Sequence, residues 1–133
     1  MDRILIVDDE FLIRYTLEEG LKDRGYDAYS AATVEEGLEF VRKYHPGVLL
    51  LDNLLENSVG MDEIVNFKNA DEELQVIMMT AYGSVSQAVE ATKRGAYDYI
   101  LKPFDVDEID MLIKRCLEQK RNRDSLVFLK GDG

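Results

Sequence analysis

This chain is poor in the residues from which most cofactor sites are assembled. It has one cysteine, Cys116, one histidine, His45, no tryptophan and two prolines in 133 residues. A single thiol excludes an internal disulfide framework and a cysteine-built zinc site, and a single imidazole excludes a multi-histidine metal centre. Any metal held here has to be held by oxygen. Basic residues are scarce too: 16 Lys and Arg stand against 27 Asp and Glu, a net charge of −11. Phosphate backbones are bound by clustered Lys and Arg, so the composition argues against direct nucleic acid binding by this domain. No apolar run approaches the roughly 20 residues of a membrane span, and the opening "MDRILIVDDE" turns acidic before a signal-peptide core can form. A cytoplasmic domain without membrane contact is the expectation.

What the chain does have is alternation. Short apolar runs give way to amphipathic stretches, each switch marked by Gly, Pro, Asn or Asp. The runs at 3–7, 27–31, 48–52, 75–79 and 98–101 read as strands, three of them almost wholly apolar, as parallel strands covered on both faces should be. Between them, apolar positions recur at helical spacing: Ile13, Leu17, Gly20 and Leu21; Val34, Gly37, Leu38 and Val41; Val85, Ala88, Val89 and Thr92; Ile109, Leu112, Ile113, Cys116 and Leu117. Each stripe is expected to face a sheet, which makes Cys116 a core residue rather than a reactive thiol. Gly25 and Gly95 fit helix ends, Thr33 and Ser84 fit N-caps, and His45 fits a loop. Five such βα units form a doubly wound α/β domain with ligands at the carboxyl ends of the strands. Residues 1–113 carry 10 basic and 24 acidic side chains, residues 114–133 carry 6 and 3. Residues 1–118 are therefore expected to form the domain, and 119–133 a linker cut short before a following segment.

The chemistry gathers where the strands end. Asp8 and Asp9 follow the first strand, Asp52 closes the third, Thr80 follows the fourth and Lys102 follows the fifth. Adjacent carboxylates at the mouth of a buried strand repel unless a cation, a helix N-terminus or solvent takes up the charge. Three carboxylates without histidine describe a hard oxygen site suited to Mg²⁺. A hydroxyl and an ammonium opposite would complete an anion clamp, and a carboxylate beside a metal can form a covalent acyl phosphate.

In this order and spacing, the acidic pair, Asp52, Gly60 eight residues later, "MTA" at 79–81 and "KPF" at 102–104 resemble the receiver domain of two-component response regulators. The likeness runs from residue 3 to about 118. It implies a five-stranded parallel sheet of flavodoxin-like order 2-1-3-4-5 with helices on both faces. It further implies that Asp52 accepts a phosphoryl group from a sensor histidine kinase, with Mg²⁺ on Asp9, Asp52 and the backbone carbonyl of Leu54, and Asp8 acting mainly through water. Lys102, joined to Pro103 by a cis bond, would pair with phosphoryl oxygens. Thr80 and Tyr99 would be the switch pair that alters the face made by the fourth helix, fifth strand and fifth helix. The stretch "TAYGSVSQAVEATKRGAYDYILKPFDVDEI" is similar to receivers of the nitrogen-regulation type, which precede an AAA+ ATPase and a DNA-binding module and act at sigma-54 promoters. A homodimer through the fourth-helix face or the C-terminal helix would fit that group. Such a domain is a phosphoaccepting switch, not an enzyme beyond self-phosphorylation from small donors and autodephosphorylation.

Taken singly, these residues have plainer readings. Asp8 or Asp9 could cap the first helix, Asp52 could sit in a turn, Lys102 on a solvated surface, and Tyr99 could be an ordinary strand aromatic. One cap needs one acid, and the set is more than one acid. A phosphatase of the haloacid dehalogenase type would need two acids two residues apart on one strand, and here they are adjacent. A pseudo-receiver that binds without phosphorylation would fit a broken set, but all five residues are present. One departure is Glu56, where receivers usually have proline, which should leave loop 53–60 less restricted. Leu54 and Tyr82 should flank the attack path and slow loss of a phosphoryl group from Asp52.

Overall fold

The computed structural model describes residues 2–55, 57–81 and 83–132, with 124–132 taken by their backbone alone. Ten elements alternate along it: β1 (Arg3–Val7), α1 (Phe11–Asp23), β2 (Asp27–Ala31), α2 (Val34–Tyr44), β3 (Val48–Asp52), α3 (Gly60–Ala70), β4 (Gln75–Thr80), α4 (Val85–Lys93), β5 (Asp98–Leu101) and α5 (Val106–Asp132). The five strands pair in parallel in the order β2-β1-β3-β4-β5. Strand order reverses between β1 and β3, so the crevice past their carboxyl ends is where such a fold binds ligands.

Successive strand residues point to opposite faces of the sheet, and here the two faces carry separate cores. Ile4, Ile6, Val48, Leu50, Ile77 and Met79 pack with Leu17 and Leu21 of α1 and with Ile109, Ile113 and Cys116 of α5. Leu5, Val7, Leu49, Leu51, Val76 and Met78 pack with Val41, Ile64, Phe67 and Ala91 of α2, α3 and α4. Cys116 is buried, and burial pushes its thiol up to about 11. Gly20 lets α1 approach α5, because a Cβ there would meet both Val106 methyls at 2.9 Å.

The local stop signals follow the sequence. Thr33 and Ser84 accept the N–H of Glu36 and Gln87, each at 3.2 Å, as N-caps of α2 and α4. Gly25 and Gly95 take positive φ after α1 and α4. His45 is the exception: it closes α2 as a left-handed C-cap (φ 48°), and its Nδ1 lies 3.2 Å from Asp71 Oδ2. Position α4 also differs from the sequence reading. Val85 is 81% exposed, Val89 is 48% exposed and Thr92 is exposed, while Ala91 is buried. Ala88, a member of the stripe read from the sequence, is half-buried and pairs at helical spacing with the buried Ala91, and these smaller side chains allow the closer approach to the sheet. Val85, Val89 and Thr92 of that stripe therefore face outward. Helix α5 runs without interruption past residue 118, with Lys120 Nζ donating to the Glu73 carbonyl at 3.0 Å and Arg123 paired with the Glu73 carboxylate at 3.1 Å. Among the described residues no helix is long and apolar enough to cross a membrane.

Candidate functional site

Strand parity sorts the residues at the carboxyl edge of the sheet. Asp8 and Asp52 continue the rows of Ile4, Ile6 and of Val48, Leu50, while Thr80 continues the row of Val76 and Met78. The carboxylates therefore open toward α1 and the Thr80 hydroxyl toward α4. One carboxylate oxygen from each of Asp8, Asp9 and Asp52 lies within 4.8 Å of the others. Asp8 is 0% exposed and Asp52 3%, whereas Asp9 is half-buried and reaches solvent.

Lys102 sits between the two buried acids, its Nζ 3.1 Å from Asp8 Oδ2 and 3.1 Å from Asp52 Oδ1. The Leu54 N–H also points to Asp52 Oδ1, at 3.4 Å. The charges do not balance evenly. Burial and then the neighbouring Asp8 raise the Asp52 carboxyl above the usual range, more than Lys102 and the Leu54 N–H lower it. Burial alone would lower the Lys102 ammonium, but two carboxylates outweigh it and its pKa is raised. One shared cation is thus enough for Lys102 to stay charged and too little to neutralise the acids. A donor set of carboxylate oxygens with one member facing water, and with an unbalanced negative charge, fits a hard divalent cation.

The plainer alternative, an acid capping α1, is not what forms. Glu10 occupies the N-cap position without a side-chain hydrogen bond, and Asp8 Oδ1 instead accepts the N–H of Glu10 at 2.9 Å. Asp8 is fully buried two residues before the N-cap position, and its two carboxylate oxygens are taken by the Glu10 N–H and Lys102. The loop after Asp52 is tied across its described residues. Leu54 bridges Val59, Leu55 N–H donates to the Ser58 carbonyl at 3.0 Å, and Gly60 N–H donates to the Asn53 carbonyl at 2.7 Å. Asn53 Oδ1 accepts the Met61 N–H at 3.1 Å, capping α3 from the residue next to Asp52. Glu56 and Tyr82 lie outside the described residues.

Gly60 is there for close approach. A Cβ on it would collide with the Asp52 carbonyl oxygen and meet Asn53 Cα at 3.0 Å. Thr80 is buried and Tyr99 half-buried, and the two line one small crevice with Asn53, Met61, Met78, Gln87 and Ala91. The Lys102–Pro103 bond is cis. Sequence reasoning passed over Asn53 and Arg14, whose Nη1 donates to the Asp8 carbonyl at 2.8 Å. A polar residue directly after a strand-ending acid was a signal for the first. Nothing local marks the second.

Similarity to known proteins agrees with this geometry. The family described as "Response regulator receiver domain" matches residues 4–114. The chain is 38% identical over 121 residues to sporulation initiation phosphotransferase F of Bacillus subtilis, covering 91% of this chain and 98% of that protein. It is 36% identical over 129 residues to the nitrogen assimilation regulatory protein NtrX of Azorhizobium caulinodans, covering 96% of this chain but only 28% of the regulator. The solution structure of the beryllofluoride-activated NtrC4 receiver domain dimer superposes with a TM-score of 0.84 at 34% identity, over 90% of this chain and 99% of that one.

Proposed function

The chain belongs to the response regulator receiver domain family, and from that footing we propose that Asp52 takes a phosphoryl group from the phosphohistidine of a sensor kinase. Receivers are phosphorylation-regulated switches of an output, and the likeness to nitrogen-regulation receivers holds along nearly the whole chain. The single observation that carries the residue assignment is the joint hold of Lys102 on Asp8 and Asp52 beside a third carboxylate.

Asp8, Asp9 and Asp52, with the Leu54 carbonyl, would hold Mg²⁺. Bound there, it would offset negative charge on the transferred group and the acids. Asp52 Oδ1 is engaged by Lys102 and Leu54 N–H, so Oδ2 is the attacking oxygen in our reading. The P–N bond of the donor breaks with its electron pair going to the imidazole, and an O–P bond forms, leaving an acyl phosphate. Lys102 then follows the added charge, being already within reach of Asp52. The Thr80 hydroxyl, on the α4 side of the same strand edge, turns toward the phosphoryl group, and Tyr99 beside it repacks against α4, biasing a two-state element. An apolar groove lined by Leu12, Ile13, Pro103, Phe104 and Val106 ends at Lys102 and supplies a seat for the donor protein next to the reacting atoms.

In this reading the domain is a cytoplasmic switch and not an enzyme beyond self-phosphorylation from small donors and autodephosphorylation. Residues 1–118 form the receiver and 119–133 lead toward an output of the AAA+ and DNA-binding kind, with dimerisation through α4, β5 and α5 or through the C-terminal helix. Leu54, 55% exposed beside Asp52, would hinder the hydrolytic water. Incubation with acetyl phosphate and Mg²⁺ is expected to add one phosphoryl group to the intact mass of the wild type and none to Asp52→Asn. No adduct at any Mg²⁺ concentration would leave a pseudo-receiver as the better account.

A further inference from the structure

Asp8 has every polar group committed. Its N–H donates to the Ala31 carbonyl at 3.2 Å, Oδ1 accepts from Glu10 N–H at 2.9 Å, Oδ2 accepts from Lys102 at 3.1 Å, and its carbonyl accepts from Arg14 Nη1 at 2.8 Å. The last of these bonds is the unusual one. A charged side chain reaches back from α1 to a backbone carbonyl, six residues away, at the point where the chain leaves β1. That carbonyl and the N–H of Asp9 belong to the same planar peptide unit, which turns as one body. Holding the Asp8 carbonyl therefore fixes the direction in which Asp9 departs.

Asp9 needs such a restraint. Unlike Asp8 it is half-buried, and its carboxylate must be brought to the Asp52 side of the crevice across a loop of three residues between β1 and α1. Arg14 is itself well placed to hold still: its N–H donates to the Glu10 carbonyl at 3.1 Å within α1, and its guanidinium lies 5.8 Å from the centre of the Phe11 ring. A planar guanidinium loses less freedom per hydrogen bond than an ammonium does.

We propose that Arg14 is a positioning residue for Asp9: by gripping the Asp8 carbonyl it aims Asp9 at Asp52 and tightens divalent cation binding at the acidic cluster. This rests on the reading of that cluster as a Mg²⁺ site. Charge and geometry make opposite forecasts here, which gives the idea its test. A cation near a Mg²⁺ site opposes Mg²⁺, so if Arg14 acted only through its charge, removing it would tighten binding. If it acts by orientation, removing it loosens binding, and outer-shell changes of this kind cost about 10-fold or more in affinity.

The experiment is a calorimetric titration of unphosphorylated protein with MgCl₂, on wild type, Arg14→Gln and Arg14→Lys, with the metal-free thermal midpoint of each. The expected result is binding about tenfold weaker in Arg14→Gln, with part of the loss recovered in Arg14→Lys, which retains a donor and the charge. Binding that is unchanged or tighter in Arg14→Gln would overturn the inference, as would a lowered midpoint with unchanged Mg²⁺ affinity. Failure of the wild type to bind Mg²⁺ would instead overturn the reading of the acidic cluster.

Discussion

Neutralising Asp52 should make the metal-free protein more stable. One carboxylate oxygen from each of Asp8, Asp9 and Asp52 lies within 4.8 Å of the others, and Lys102 is 3.1 Å from Asp52. At an effective dielectric constant of about 20, each repulsion is worth about 3 kcal/mol and the attraction about 5 kcal/mol. Asp52→Asn relieves two of the former and gives up one of the latter, a net gain of about 1–2 kcal/mol before relief of carboxylate burial is added. The direction agrees with the raised Asp52 pKa, caused first by burial and then by Asp8. An acid whose folded pKa is raised contributes stability below its unfolded pKa and loses it as pH rises through the folded value. The advantage of Asn should thus be full at neutral pH and fade as pH falls into the carboxylate range. Mg²⁺ should reverse the ranking, since a ligand at 100 times its Kd adds about 2.7 kcal/mol to the protein that binds it. Urea unfolding of both proteins in EDTA and in MgCl₂, at neutral and acid pH, reads all of this. A less stable Asp52→Asn in EDTA at neutral pH would refute the charge argument.

Gly60→Ala should cost about 1–3 kcal/mol of stability, as overpacking does, because the new methyl has the Asp52 carbonyl in its way; the unfolding midpoint checks it, and an unchanged midpoint would mean α3 can shift freely. Tyr26 donates to the buried Asp110 Oδ1 at 2.7 Å, so Tyr26→Phe should cost about 1.5–3 kcal/mol. Burial pushes the Asp110 carboxyl up, but Tyr26, Lys114 and Arg24 outweigh it and hold it below the usual range. An acid with a depressed folded pKa stabilises above its unfolded pKa and loses that contribution as pH falls through the folded value. The difference between wild type and Tyr26→Phe should therefore narrow in acid, read by denaturation at several pH values.

The elements that sequence alone located well are those with one dominant signal. All five strands begin where the apolar runs do, with β4 one residue longer so that Thr80 ends the strand rather than following it. The partial reading came from elements with two. In α4 the stripe Val85, Ala88, Val89 and Thr92 overlaps the pair Ala88 and Ala91 at helical spacing; hydropathy favours the valines, while the small alanines are the ones that turn inward. Helix α3 buries only a short row, Gly60, Ile64 and Phe67, where the stripes of the other helices offer four residues or more. In the site, residues that act through side chains at strand ends were legible from their order. Those that act on backbone, Asn53 on Met61 and Arg14 on Asp8, were not, since a hydrogen bond to a carbonyl or an amide leaves no partner residue type to look for.

The two-sided edge of the sheet has a consequence for how such a protein can be retuned. Asp8, Asp52 and Lys102 open on the α1 side, where the apolar groove runs, while Thr80 and Tyr99 open on the α4 side. If the donor docks on one side and the response is read on the other, the receiving and the reporting surfaces meet along the ends of β3, β4 and β5. Substitutions on α1 could then change which donor is heard, and substitutions on α4 what is done about it, each without disturbing its counterpart. A gene duplicate would be able to diverge in input and in output as separate traits.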